Sequence, residues 1–220
     1  VAATFLVVFD IDSTLINEEG LDLVAKRAGK DIFQAVQTIT DEAMAGRRDF
    51  ADSLRSRVAL LEGAPVALVE DVATAITPTR GAATFIDWVH EHGGVVGAVS
   101  GGFHEVVDGL TARLGVDHVL ANRFGVRGSD LTGVVDGDIV DAAAKARFLE
   151  HWASHYGVEP ARTVAIGDGA NDLAMFDIAG LSVSFCGKPI ANAHAHVTIS
   201  HRDLMEVIPH LDHLVSVTHS

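Results

Sequence analysis

The sequence has one cysteine, Cys186, so no intrachain disulfide can brace it, and this usage suits a reducing compartment such as the cytoplasm. Cations are also scarce, with 16 Lys+Arg against 30 Asp+Glu and a formal net charge of −14. A field of that sign repels phosphate backbones and anionic lipid, which argues against nucleic-acid or membrane partners. No apolar run nears the roughly 20 residues that a bilayer crossing needs. Residues 1–9 are apolar but have no basic leader and run straight into Asp10 and Asp12, so they read as a buried strand rather than a signal peptide. The chain opens on Val1 rather than Met, as a processed or excised chain would. There is no Pro/Ser-rich linker, internal repeat or low-complexity tract, and no pattern that specifies an oligomeric state.

What remains is ordinary globular material: 220 residues, 48% hydrophobic, enough for one large domain or one with a sizeable insert. Short β-rich runs at 4–9, 94–99, 163–166, 181–185 and 197–199 alternate with helical patterns at 82–92, 105–114, 142–156 and 172–179. That rhythm predicts an α/β fold, and the continuous apolar strands predict a doubly wound, mainly parallel sheet covered on both faces. A small antiparallel hairpin is expected over 123–135, around the turn signal Gly128-Ser129-Asp130. Residues 17–76 break the rhythm: they hold no strand and read as helices at 21–28, 33–45, 50–61 and 66–75. An all-helical block inserted after the first strand predicts a lid over the site, leaving 1–16 and 77–220 as the core.

Three predicted strand ends carry chemistry. In open α/β sheets ligands sit beyond the carboxyl ends of the strands. Asp10-Ile11-Asp12-Ser13-Thr14 stands at the first, where one carboxylate can attack an electrophile and a second can shuttle the proton. The same residues are also good helix caps. At the second end stands Ser100-Gly101-Gly102, a hydroxyl followed by glycines whose N–H groups can approach an anion. At the third, Gly167-Asp168-Gly169-Ala170-Asn171-Asp172 offers oxygen ligands for a hard cation. Lys145 lies in the helix between. Each has a bland reading as turn, cap or solvated charge; together and in this order they favour a phosphate site.

This set, Asp10-x-Asp12-x-Thr14, Ser100, Lys145 and Gly167-Asp168-x-x-x-Asp172, resembles the haloacid dehalogenase superfamily of phosphohydrolases, with its Rossmann-like core and helical cap. Within it the resemblance is to the branch that hydrolyses O-phospho-L-serine, the last step of serine biosynthesis. Supporting stretches are Glu19, 39–44, Arg57-Val58, Thr77-Pro78-Thr79, Phe103 and Leu131-Thr132-Gly133. The resemblance implies that Asp10 is the nucleophile, forming an aspartyl phosphate, and that Asp12 is the acid and then the base. It implies a Mg²⁺ cofactor held by Asp10, Asp12 through its backbone carbonyl, and Asp168, with Asp172 supporting. Ser100, Gly101, Gly102, Lys145 and Asn171 would hold phosphate. Glu19 and Arg57 would meet the ammonium and carboxylate of the substrate, and Met44 and Phe50 would close over it. That division of labour asks for a higher pKa on Asp12 than on Asp10.

A guanidinium at Arg57 suits a carboxylate because it can grip it with two parallel hydrogen bonds. Arg55, two residues away, should face elsewhere on a helix. His104 stands where an acid is usual in the family. The pairs His151/His155 and His194/His196 lack a companion Glu at metalloprotease spacing and are expected at the surface. A phosphorylated receiver domain would use a similar set, but it lacks an acid at the position of Asp12 and the inserted helices. A phosphotransferase acting on an alcohol such as homoserine, or a phosphatase for another small phosphomonoester, stays open at this level. A dinucleotide enzyme does not fit, because Ser100-Gly101-Gly102 lacks the Gly-x-Gly-x-x-Gly pattern.

Overall fold

The computed structural model describes residues 2–44 and 47–215. The first strand, β1 (Leu6–Phe9), is buried throughout and leads to four inserted helices, α1 (Gly20–Ala28), α2 (Lys30–Met44), α3 (Phe50–Ala59) and α4 (Val66–Ala75). After them come α5 (Ala82–Glu91), β2 (Val95–Phe103), α6 (His104–Leu114), β3 (His118–Arg127) and β4 (Asp130–Asp136). Next are α7 (Ala142–Tyr156), β5 (Thr163–Gly167), α8 (Leu173–Phe176), β6 (Leu181–Phe185), α9 (Pro189–His194), β7 (Val197–Ile199) and α10 (Asp212–Val215). The sheet runs β4-β3-β2-β1-β5-β6-β7, and every pairing is parallel except β3 with β4.

Alternation along the central strands explains the layers. Val7 and Phe9 point into one apolar cluster and Leu6 and Val8 into another, so each face of β1 is covered. On the first face lie Phe85 and Val89 of α5 and Val107 and Leu110 of α6; on the second lie Leu149 and Trp152 of α7 and Phe176 of α8. Val24, Leu54, Val58, Val69 and Val72 of the inserted helices belong to the first cluster. The insert therefore shares its hydrophobic core with the sheet instead of enclosing a separate one.

The insert is also tied to the hairpin by backbone hydrogen bonds. Gly63 N donates to Leu131 O at 2.9 Å, Leu131 N to Ala64 O at 2.9 Å, and Val66 N to Ser129 O at 2.8 Å. These bonds stitch the turn between α3 and α4 along the start of β4. Gly133 makes the close approach possible. It sits at φ 73°, and a Cβ there would lie 2.9 Å from Glu62 Cβ and 3.3 Å from Ala59 O.

Several boundaries differ from the sequence expectation. β2 continues through Ser100-Gly101-Gly102 to Phe103, where a turn was expected, and its pairing with β3 shifts register between Val99 and Phe103. The cause is Asn122, whose Nδ2 donates to Gly101 O (2.9 Å) and Gly102 O (3.2 Å) where the register slips. The expected hairpin is longer, because β3 first pairs in parallel with β2 over His118–Asn122 before turning antiparallel. The helix expected at 172–179 is only the single turn α8, preceded by a 3₁₀ turn at Ala170–Asp172. The second inserted helix starts at Lys30, three residues before the expected 33, and its expected last residue, Ala45, lies outside the described residues.

Replacing Gly133 with Val adds both a left-handed backbone strain and a clash at the insert–hairpin junction. We expect a loss of about 2–4 kcal/mol, read as a lower urea midpoint at unchanged m-value. An unchanged midpoint would show that the junction adapts freely.

Candidate active site

The sheet gathers the chemistry at one end. β1 lies between β2 and β5, with Phe9 level with Ala98 and Ile166, so Asp10, Ser100 and Asp168 all stand at the carboxyl edge of the topological switch point. Asp10 N donates to Ile166 O at 2.8 Å, which extends the ladder one residue past β1. The chain then turns abruptly. Asp12 is extended and Ser13 is left-handed at φ 58°, a conformation held by Ser13 N donating to Glu18 O (3.1 Å) and Arg202 Nη1 donating to Ser13 O (2.9 Å).

At the centre is Lys145, only 1% exposed, with Nζ 2.7 Å from Asp10 Oδ1 and 2.7 Å from Asp172 Oδ1. Burial works against its charge, but the two carboxylates outweigh that and raise its pKa. Asp10 Oδ1 also accepts from Ile11 N at 2.8 Å, so the protein contacts of this carboxylate converge on one oxygen and Oδ2 is left to react. Asp172 is committed at both oxygens, Oδ1 to Lys145 and Oδ2 to the backbone N–H groups of Asp168 (2.9 Å) and Gly169 (3.0 Å). It acts as a strut between Lys145 and the loop that carries Asp168.

Asp10, Asp168 and Asp172 each bring a carboxylate oxygen within 4.8 Å of the others. Three buried hard oxygen donors crowded in this way suit a divalent cation of the oxygen-loving class. Burial and the neighbouring charges of Asp172 and Asp168 push the Asp10 pKa well above the usual carboxylate range, although Lys145 opposes them. Burial raises Asp168 as well, against the pull of Lys188. An added positive charge relieves both.

Asp12 sits beside this cluster. Its Oδ1 accepts from Gly20 N at 2.7 Å and its Oδ2 from Ser100 Oγ at 3.0 Å, while Gly102 N donates to Ser100 Oγ at 2.8 Å. Burial raises its pKa, with the Gly20 and Ser100 hydrogen bonds opposing. The expectation from the sequence sets Asp12 above Asp10; burial raises both, the like charges of Asp172 and Asp168 add to the rise of Asp10, and that of Asp168 adds to the rise of Asp12. Gly102 also has to be glycine, because a Cβ there would lie 2.5 Å from Asp12 Oδ2.

The inserted helices meet this edge directly. The Phe50 ring lies against Gly101, where a Cβ would come within 2.8 Å of its Cζ. Glu19 stands at the cleft rim and accepts from Ser13 Oγ at 2.7 Å. The residue is exposed overall, yet desolvation of its carboxyl, then the Asp12 charge, pushes it up to about 7. Arg57 is half-buried; burial lowers its pKa, opposed by the charges of Asp22, Glu19 and Asp12, and its Nε is buried with no hydrogen-bond partner. Arg55 faces away and pairs with Asp52 at 3.4 Å in solvent. Asn171 lies over the Asp168 loop, with Oδ1 2.7 Å from where a Cβ on Gly169 would be. The Met44 side chain lies outside the described residues.

Two residues of this neighbourhood were not anticipated. Lys188 approaches Asp168 Oδ2 at 3.4 Å, and it follows β6, a fourth strand end whose Gly187-Lys188-Pro189 was the available signal. Asn122 shapes the Gly101-Gly102 segment through its carbonyls, and no sequence pattern marks it. Of the histidines, His151, His155, His194 and His196 are exposed. His104 is structural: Nδ1 lies 2.7 Å from Asp108 Oδ1 and Nε2 accepts from Ala121 N, joining α6 to β3.

Comparison with known proteins agrees with this geometry. The haloacid dehalogenase-like hydrolase family matches residues 7–177. A phosphoserine phosphatase from Lactococcus lactis is 43% identical over 213 residues, covering 97% of this chain and 98% of that one. One from Methanocaldococcus jannaschii is 44% identical over 206 residues, covering 94% and 97%. Among solved structures, a phospho-aspartyl intermediate analogue of phosphoserine phosphatase superposes with a TM-score of 0.88 at 43% identity, covering 94% of this chain and 98% of that one. A substrate-bound phosphoserine phosphatase complex gives the same TM-score of 0.88 and 43% identity, covering 94% and 97%.

The raised Glu19 pKa makes a stability prediction for ligand-free protein. The unfolded chain loses this proton near 4.5 and the folded one near 7, so between these values the folded form binds more protons and stability falls as pH rises. Glu19→Gln removes the penalty. Its urea midpoint is expected to exceed that of the unsubstituted protein at pH 8, by about 1 kcal/mol after allowing for the exposed rim, and to match it near pH 4. A gap that does not change with pH would contradict the shift.

Proposed function

The chain belongs to the haloacid dehalogenase-like hydrolases and hydrolyses phosphoserine, and from that premise we propose that each turnover passes through a phosphoryl group on Asp10. The observation that carries the assignment is the buried Asp10 carboxylate, fixed through Oδ1 by Ile11 N and Lys145 with Oδ2 left to react. Asp10 Oδ2 attacks phosphorus as the bond from phosphorus to the seryl oxygen breaks, and protonated Asp12 gives its proton to that oxygen. Asp12, now a carboxylate, takes a proton from water as the water oxygen attacks phosphorus. The Asp10 carboxylate is released together with inorganic phosphate.

The remaining roles belong to the same reading. Ser100, the Gly101 N–H, Lys145 and Asn171 hold the phosphoryl oxygens, and Gly102, whose N–H donates to Ser100 Oγ, orients that hydroxyl, in keeping with a reaction governed by positioning and charge. When bound, Mg²⁺ held by Asp10, Asp168 and the Asp12 carbonyl, with Asp172 behind them, supplies positive charge facing those oxygens. Residues 17–76 form a cap over the core of 1–16 and 77–220. In it Arg57 takes the substrate carboxylate, Glu19 its ammonium, and Phe50 shields it from water. We place the reaction at the last step of serine biosynthesis in the cytoplasm, a reading supported by the lone unpaired Cys186. Its partner is a small phosphomonoester and neither nucleic acid nor membrane, a reading supported by the net charge of −14.

Asp10→Asn is expected to reduce phosphate release by at least about 10⁴-fold while the protein still unfolds cooperatively in urea, and EDTA to abolish release in a way that added Mg²⁺ restores. Residual activity near that of the unsubstituted protein would remove Asp10 from this role, and insensitivity to EDTA would remove the cation. Arg57→Ala should lower kcat/KM for phosphoserine by about 10²-fold or more while sparing an aryl phosphate. Equal losses on both would assign Arg57 to the fold.

A further inference from the structure

The inserted helices hold a second buried polar group without a partner. Ser53 on α3 is 1% exposed, and its hydroxyl makes no hydrogen bond among the described residues. An orphaned buried hydroxyl costs roughly 1–3 kcal/mol, so its placement calls for a partner supplied from elsewhere. A helical serine can satisfy itself on the carbonyl four residues back. Here that carbonyl, Asp49 O, accepts from Ser53 N at 2.9 Å and the hydroxyl does not join it.

The geometry of α3 shows where that partner comes from. Ser53 is three residues after Phe50 and four before Arg57, so the three share a helix face. Phe50 packs on Gly101, and Arg57 stands in the field of Glu19 and Asp12, so this face looks onto the cleft. Leu54 and Val58 turn to the hydrophobic core, which leaves Ser53 on the polar edge of the buried stripe next to Arg57.

No hydrogen bond among the described residues joins the nearby acids to these groups, and the bonds those acids accept come from other donors. Asp22 Oδ2 accepts from Gln37 Nε2 at 2.6 Å, Glu19 from Ser13 Oγ, and Asp12 from Gly20 N and Ser100 Oγ. Arg57 forms no ion pair among the described residues. Two adjacent buried donors, an O–H and an N–H, thus await one acceptor.

We infer that Ser53 is a specificity-determining residue, whose hydroxyl donates to the substrate carboxylate alongside the Arg57 guanidinium. A carboxylate has two oxygens with about four acceptor sites, so it can take the guanidinium fork and still accept a hydroxyl. This rests on the phosphoserine reading above and adds a second, uncharged donor to it. Uncharged donors matter for selectivity, because a site with buried polar groups rejects a ligand that leaves them unpaired.

The test compares phosphoserine with phosphoethanolamine, which keeps the ammonium and the phosphate ester but lacks the carboxylate. Ser53→Ala should raise KM for phosphoserine about five- to ten-fold with kcat little changed, and leave kcat/KM for phosphoethanolamine unaltered. Ser53→Thr, which keeps a hydroxyl, should recover part of the loss, and urea midpoints taken alongside separate misfolding from lost recognition. Equal losses on both substrates, or no change on either, would overturn the role of Ser53. No phosphate release from phosphoserine by the unsubstituted protein would instead overturn the reading beneath it.

Discussion

The site depends on one buried cation. Lys145 Nζ lies 2.7 Å from two carboxylates that are themselves buried, and without it Asp10 and Asp172 would face each other unscreened in a low-dielectric interior. Burying several charges together costs several kcal/mol per ion, and that cost is recovered only when geometry and hydrogen bonding are nearly complete. The structure meets the condition on the Asp172 side, where both oxygens are fully engaged. It leaves the condition unmet on the Asp10 side, where Oδ2 has no hydrogen bond or ion pair among the described residues. Incomplete satisfaction at one atom, with its surroundings locked, is what the proposed attack by that oxygen would draw on.

The second constraint is how closely the inserted helices approach the core. Gly101 against Phe50, and Gly133 against Glu62 and Ala59, are two contacts where a methyl group would collide. They lie on both sides of the insert, one at the reacting edge and one at the hairpin. Because the insert shares the sheet's hydrophobic core and is hydrogen-bonded to residues 129–131, any opening motion must carry the hairpin along or break those three backbone bonds. The inserted helices and the start of β4 are therefore coupled through these bonds as well as through the shared core.

Much of this was legible in the sequence, for identifiable reasons. Leu6–Phe9 announces itself as a doubly covered strand because every residue in it is apolar, and Asp10 follows immediately. Ser100 and Asp168 are legible as candidates because strand ends collect ligands and those residue types suit phosphate and a hard cation, and Lys145, on α7, stands out only in their company. The continuation of β2 through Ser100-Gly101-Gly102 was not, because glycines signal a turn locally, whereas the outcome was decided by Asn122, about twenty residues away. The parallel half of β3 was hidden because a hairpin signal next to it dominated the local pattern. Lys188 was obscured because a lone lysine after a strand is indistinguishable from a solvated one until Asp168 is placed beside it. The charges that add to burial in raising Asp10 and Asp12 were out of reach because they come from Asp168 and Asp172, which no local window contains.

A chain of net charge −14 that takes a dianionic phosphate shows how little the long-range field decides once a site is closed. Exposed charges are screened within roughly 8–10 Å at physiological ionic strength, whereas Lys145 acts from inside the protein at contact distance. The same separation of scales operates at the other end of the cleft. Arg57 is a cation among three acids, yet each acid is bonded to a neighbour, Asp22 to Gln37, Glu19 to Ser13, and Asp12 to Gly20 and Ser100. Their charges support the Arg57 cation, while no hydrogen bond or ion pair to it forms among the described residues. In the proposed role of Arg57, an incoming anion meets a guanidinium without a protein partner, and recognition would rest on where the competing acids are bonded as much as on where the arginine stands.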